Sequence, residues 1–114
     1  MTITVTNFVA GSQLTTSAAT YATMAANEKG IITNATLTNT TATARTATVH
    51  IVPVGATETA LNMSISARTI NAGETYKCPE LIGKVMLATG TIRALAEANT
   101  AISLQVDGYK VTNG

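Results

Sequence analysis

Charge is what this sequence has least of. Asp, Glu, Lys and Arg make up 11% of its 114 residues, against roughly 25% in an ordinary soluble domain, so the exposed faces must be built mainly from neutral hydroxyls and alanine. The net charge is +1 and the seven Lys and Arg are scattered along the chain. No basic stripe exists to neutralise a phosphate backbone, and nucleic acid is not an expected partner. Rings are scarce as well. Phe8, Tyr21, Tyr76 and Tyr109 are the whole aromatic complement, which predicts a thin, sheet-like core of small aliphatic side chains. A single cysteine, Cys78, cannot form an internal disulfide, and this excludes a stapled secreted scaffold. Apolar runs such as Ile51 to Val54 and Val85 to Ala88 fall far short of the roughly 20 residues a membrane helix needs. No secretory signal is readable, since no charge precedes Glu28. The expectation is a soluble protein made in a reducing cytoplasm, with no membrane partner.

Catalytic chemistry is equally thin. A hydrolytic, redox or metal site needs several convergent groups, and the chain offers one His, one Cys and six carboxylates. His50 stands mid-strand without an evident partner and reads as an exposed or interface imidazole. Cys78 lies between Lys77 and Pro79; the cation admits a reactive thiol, but burial as a small apolar residue fits better. Glu58, Glu74 and Glu80 fall in predicted turns and loops, where solvated carboxylates belong, and only their presence speaks for glycoside chemistry. The sequons at Asn34, Asn39 and Asn62 are what chance supplies in a chain so rich in Asn and hydroxyls. Phosphate-cradling glycine motifs are absent. The reading is a non-enzyme with no cofactor, no metal and no catalytic residue.

What the sequence has in abundance is threonine, at 23 positions, often on every second residue as in Thr2, Thr4 and Thr6 or Thr46 and Thr48. That period is a strand's, because alternate side chains of a strand point to opposite faces and β-branched residues pack well on a pleat. Residues 2 to 9 form the first such run, with Ile3 and Val5 on one face. Ala18 to Ala26 fits a strand better than a helix. Ile31 to Thr40 puts Ile31, Ala35 and Leu37 on one face. Ala47, Val49 and Ile51 then oppose Thr46, Thr48 and His50, and the short link at Thr41 to Ala44 reads as a hairpin. Pro53 should end that strand or lie on an edge. Gly55 to Asn62 is a loop or single turn, Met63 to Ile70 a strand, and Asn71-Ala72-Gly73-Glu74 a turn. Thr75 to Cys78 is a short strand stopped by Pro79, Glu80 to Ala88 is irregular or a single turn, Thr91 to Glu97 alternates again with Ile92, Ala94 and Ala96 on one face, and Ala101 to Thr112 does so with Ile102, Leu104 and Val106 on one face.

About eight short strands with turn signals near every tenth residue predict an all-β fold with little or no helix, an antiparallel β-sandwich of jelly-roll or Ig-like type. The chain reads as one domain over residues 1–114, with the charge-free residues 1–27 a candidate extended docking arm that pairs with a neighbour's sheet edge; the alternative is that they complete their own sandwich. No fixed repeat period is visible, which counts against a Thr-rich solenoid of the ice-binding kind.

From Ile31 onward, the line IITNATLTNTTATARTATVHIVPVG followed by RTINAGETYKCPELIGKVMLATGTIRALAEANTAISLQVDGYKVT resembles small virion proteins of tailed bacteriophages and prophages. A Thr-rich hairpin, the NAGETY turn, the TGTIRALAEA strand and the closing SLQVDGYKVT strand carry the resemblance. It implies a compact β-sandwich that is a building block of the particle. The expected role is a capsid decoration or cement subunit, synthesised in the bacterial host cytoplasm and located in the virion, with itself and other virion proteins such as the major capsid protein as partners. The alternatives are an accessory protein of the tail, collar or baseplate, and a glycan-binding module using the loops Gly55 to Asn62 and Pro79 to Thr89.

Overall fold

Alternating β-branched residues do become strands. A computed structural model describes residues 2–57, 59 and 62–112. These form β1 (Thr2–Gln13), β2 (Ala19–Thr23), β3 (Glu28–Asn39), β4 (Arg45–Val52), β5 (Met63–Ile70), β6 (Thr75–Tyr76), β7 (Val85–Met86), β8 (Thr91–Ala96) and β9 (Ile102–Thr112), with no helix among the described residues. The irregular stretch predicted at Glu80 to Ala88 contains β7, and the loop at Gly55 to Asn62 falls partly outside the described residues.

Two antiparallel sheets result. One runs β1-β9-β3 with β6 and β7 sharing the far edge of β3, and the other runs β2-β8-β4-β5. With β6 and β7 counted as one position, the first strand pairs the last, the second pairs the second-last, and so inward to the β4–β5 hairpin. A long antiparallel ribbon rolled in this way is a jelly roll, which settles the sandwich type.

The core lies between the sheets. Ile102, Leu104 and Val106 of β9 face Ile92 and Ala94 of β8, each at most 0% exposed, as the alternation of both strands predicts. Leu14, Ile70 and Leu81 close the ends of this layer.

The expected hairpin at Thr41 to Ala44 is instead an arch: β3 and β4 belong to different sheets. Each strand is apolar on one face in either arrangement, so their pattern is the same for both. What selects the arch is Asn39, fully buried at the end of β3. Its Nδ2 donates to the Thr43 carbonyl at 2.8 Å and to the Ile70 carbonyl at 2.9 Å. Its Oδ1 accepts from Thr41 N at 2.9 Å and from Thr41 Oγ1 at 2.7 Å. One side chain thus folds the link over the sandwich and fastens it to β5 of the opposite sheet.

Bulges set which residues face inward. In β3 the register with β9 slips between Ile32 and Asn34, so one extra residue reverses the alternation there. Ile32, Ala35 and Leu37 are buried while Ile31 is 40% exposed, which corrects the expectation that Ile31 shares a face with Ala35 and Leu37. β1 slips between Asn7 and Val9 and again before Ser12, so Val9 and Leu14 are buried although they lie in opposite phase.

Two turn residues carry strain. Thr89 and Thr100 sit at φ 60° and 56°, a left-handed conformation that a β-branched side chain resists. Asparagine tolerates this region without glycine's cost in unfolded-chain entropy. Thr89→Asn and Thr100→Asn should each stabilise the fold by about 0.5–1 kcal/mol, read as a rise of a few degrees in Tm by calorimetry; an unchanged or lower Tm would show that no strain is relieved.

Candidate functional site

Among the described residues, those singled out for chemistry do not converge. His50 lies on the outer face of β4 but is only 4% exposed, because the segment following Pro53 folds back over it. Its Nδ1 meets Asn62 Oδ1 at 2.9 Å, and the same Asn62 takes Thr59 N at 3.1 Å and gives Nδ2 to the Thr57 carbonyl at 2.8 Å. The imidazole is therefore a buried fastening for a loop, where an exposed or interface group was expected. Asn39 and Asn62 both spend their amides in this way, so neither sequon is open to a glycan.

Glu80 is held by Tyr76, whose Oη donates at 2.6 and 2.7 Å to the two carboxylate oxygens; that bond raises the phenol above its usual pKa. The Arg68 guanidinium lies over the Tyr76 ring at 4.3 Å. This contact joins β5 to β6, the edge strands of the two sheets, and closes one flank of the sandwich. Glu74 is in the turn after β5, where its carbonyl accepts Asn39 N at 3.0 Å. Glu58 lies outside the described residues. Among the described residues no group of three His, Cys, Asp or Glu side chains is placed to hold a metal.

Cys78 is fully buried next to β6, its thiol facing the Tyr76 carbonyl at 3.5 Å. Burial, with Glu80 nearby adding to it, pushes the thiol up to about 12, so the thiolate needed for nucleophilic or redox work is absent at neutral pH. Native protein at pH 8 should leave Ellman's reagent unreacted over minutes, and denaturant should release one reactive thiol; fast labelling of the native state would contradict this burial.

The two loops considered for a glycan do meet. Pro53, Asn62 and Met63 on one side and Lys84, Val85 and Leu87 on the other line an open cleft of ≈ 370 Å³. Among the described residues no aromatic ring lines it to stack a sugar face.

The distinctive surface is elsewhere, on the outer face of the five-stranded sheet. Register places Val5 opposite Tyr109, Tyr109 opposite Ile31, and Ile31 opposite Val85. Directly opposed residues share a face, so these four form one row across β1, β9, β3 and β7. All are open to solvent: Val5 80%, Tyr109 44%, Ile31 40% and Val85 50% exposed. The next row holds Ile3, Val111 and Lys29, with Ile3 61% exposed. In the other direction the face turns polar, through Asn7, Asp107 and Asn34 to Thr38, Ser103 and Thr75, where Thr38 and Thr75 share a hydroxyl hydrogen bond of 3.0 Å.

Threonine thus supplies a neutral outer face for one half of the sheet, while the other half is apolar. The charges of this end lie mostly on the reverse side. Lys110 reaches Glu28 at 3.0 Å, and this bond, with a second from Ala25 N, holds the Glu28 carboxyl below the ordinary range. The pairing is in place above that range and is lost as pH falls through the depressed value.

The apolar row was hidden in the sequence because Ile3 and Val5, alternating with threonines, look like core residues. The available signal was glycine within strands, which marks a bulge or a close backbone approach. Gly30 and Gly108 flank the row and lie under the Phe8 ring, which is within 3.0 Å of where a Cβ would stand at either position.

Fold and surface together define a jelly-roll domain with an uncovered apolar half-face and no convergent catalytic groups among the described residues. No protein-family model matches the chain, and no curated protein matches it. Among solved structures it is similar to a chain from Bacillus endospore appendages, described as a novel family of disulfide-linked pili, with a TM-score of 0.60 over 99% of this chain and 90% of that one. At 15% sequence identity the likeness is one of fold. No helix among the described residues is long and apolar enough to cross a membrane.

Proposed function

We propose that this chain is a non-enzymatic structural subunit that works by being packed against other proteins, and that its place is the bacteriophage virion, where it decorates and cements the capsid. The observation that carries the reading is the row Val5, Tyr109, Ile31 and Val85, exposed side by side. Contiguous apolar surface of this kind marks interaction sites on soluble proteins, and its burial is favourable by about 25 cal/mol per Å². Only Lys29 within these rows would have to be desolvated, and neutral threonines cost far less to cover than ions do. The phage setting is supported by the resemblance of residues 31–112. Its proposed partners are copies of itself and other virion proteins such as the major capsid protein.

A second reading, a subunit of an extracellular appendage, is favoured by the fold it shares with the Bacillus pilus protein along nearly its whole length. Those pili are described as disulfide-linked, and the buried Cys78 offers no such link here, so contacts through this chain's own cysteine would not hold the fibre.

Particles lacking the chain should lose resistance to heat and osmotic shock, and labelled copies should lie on the head. Label on the tail, collar or baseplate would move the subunit there, and label on filaments outside any particle would favour the appendage. The double variant Val5→Glu, Tyr109→Lys, an opposite-charge pair across the two strands, tests the surface itself. It should change folding stability by about 1 kcal/mol or less and weaken attachment to particles by roughly thirtyfold or more; unimpaired attachment would remove the apolar half-face from the interface.

A further inference from the structure

We propose that two copies of this chain pair edge to edge through Thr2 to Thr6 of β1, antiparallel, about a two-fold axis at Thr4. The inference rests on the reading of the chain as an assembly subunit, and it names the first partner as a second copy.

β1 ends the five-stranded sheet, and among the described residues no strand lies beyond it. Natural sheets blunt such edges with charge, proline, bulges or extreme shortness. β1 has 12 residues, no charged side chain and no proline. Its bulges begin only after Asn7, so Thr2 to Asn7 is a regular, open edge.

The occupant follows from the order of residues there. Thr2-Ile3-Thr4-Val5-Thr6 reads alike in both directions: antiparallel pairing centred on Thr4 sets threonine against threonine and Ile3 against Val5 at every position. Threonine pairs and β-branched aliphatic pairs are favourable cross-strand neighbours, and an uncharged strand meets its own copy without repulsion. A shift by one residue would set threonine against isoleucine or valine and lose every match.

A two-fold axis perpendicular to the sheet keeps both outer faces on one side. The row Val85, Ile31, Tyr109 and Val5 then runs on into Ile3 and Val111 of the second copy. Pairing therefore joins two apolar half-faces into one strip, and presents a shell with two linked attachment points. The seam itself is small, so a dimer of micromolar strength is expected.

Symmetry gives the test. At the axis, a Cys at position 4 faces itself with Cβ atoms about 4.5–5.5 Å apart, whereas a Cys at position 2 lies roughly 13 Å from its own copy. Under mild oxidation Thr4→Cys should give a covalent dimer, Thr2→Cys and Thr6→Cys alone should not, and a mixture of Thr2→Cys with Thr6→Cys should. In sedimentation, Thr4→Glu should weaken the wild-type dimer at least tenfold, and mixing it with Thr4→Lys should restore pairing. A wild-type chain that stays monomeric at hundreds of micromolar, cross-linking of Thr2→Cys with itself, or a Thr4→Glu dimer of unchanged strength would each overturn the pairing. A monomer that still enters particles would sink this seam and leave the subunit reading standing; an intact dimer from a protein absent from every particle and filament would do the reverse.

Discussion

Replacing Gly108 by alanine should cost at least about 3 kcal/mol of folding stability or prevent folding altogether. Gly108 lies in β9 between Thr6 of β1 and Ile32 of β3. A Cβ there would run into the Ile31 carbonyl oxygen and stand 2.9 Å from the Phe8 ring. The first obstacle is backbone of the paired strand, so relief requires β9 and β3 to part at the centre of the sheet. Gly30→Ala offers a graded comparison. Its obstacles are the Phe8 Cζ at 2.8 Å and the Met86 methyl at 3.0 Å, both tips of side chains that can give way, and the expected cost is about 1–2 kcal/mol. Adding Phe8→Leu should recover part of the Gly30→Ala loss and little of the Gly108→Ala loss. Urea titration of the four variants reads these differences directly; equal losses at the two glycines would mean that the backbone yields where the geometry says it cannot.

The same glycines explain how far the sequence could be read. Where strands are regular, as in β8 and β9, alternation identified the buried residues Ile92, Ala94, Ile102, Leu104 and Val106. Alternation is a local rule, and one extra residue inverts it: the slip after Ile32 put Ile31 outside, and the slip after Asn7 left Val5 outside while bringing Val9 in. The apolar half-face is in part the result, since Val5 and Ile31 alternate as core residues do and are turned outward by bulges further along β1 and β3. Strand partners were illegible for another reason. A β-arch and a β-hairpin have the same pattern and the same short link, and the choice is made by hydrogen bonds to residues 31 positions away, as between Asn39 and Ile70. The lack of charge and of rings was legible at once, because composition does not depend on register.

Asn39 is where that long-range choice can be tested most sharply. Asn39→Ala removes both donors and the acceptor at a site with no solvent access. It strands the Thr43 and Ile70 carbonyls and the Thr41 N–H. Each buried polar group left unsatisfied costs about 1–3 kcal/mol, and partial relaxation of the exposed link brings the expected total to about 3 kcal/mol, a fall of roughly 10–20 °C in Tm. Asn39→Asp separates the two halves of the amide's work. Its oxygens can still take Thr41 N–H and Oγ1, but an ionised carboxylate would also face the Thr43 and Ile70 carbonyls, which only a donor can satisfy. Burial against acceptors favours the protonated acid, so its folded pKa must lie above the unfolded one. The sign follows from linkage: the variant is least stable above that raised value and regains stability as pH falls through it towards the ordinary carboxylate range. Melting curves of Asn39→Asp from neutral to mildly acid pH should therefore rise relative to those of Asn39→Ala. If the two variants track each other across that range, the side chain is not donating to the carbonyls of β5 and the link, and some other contact must hold the arch between the sheets.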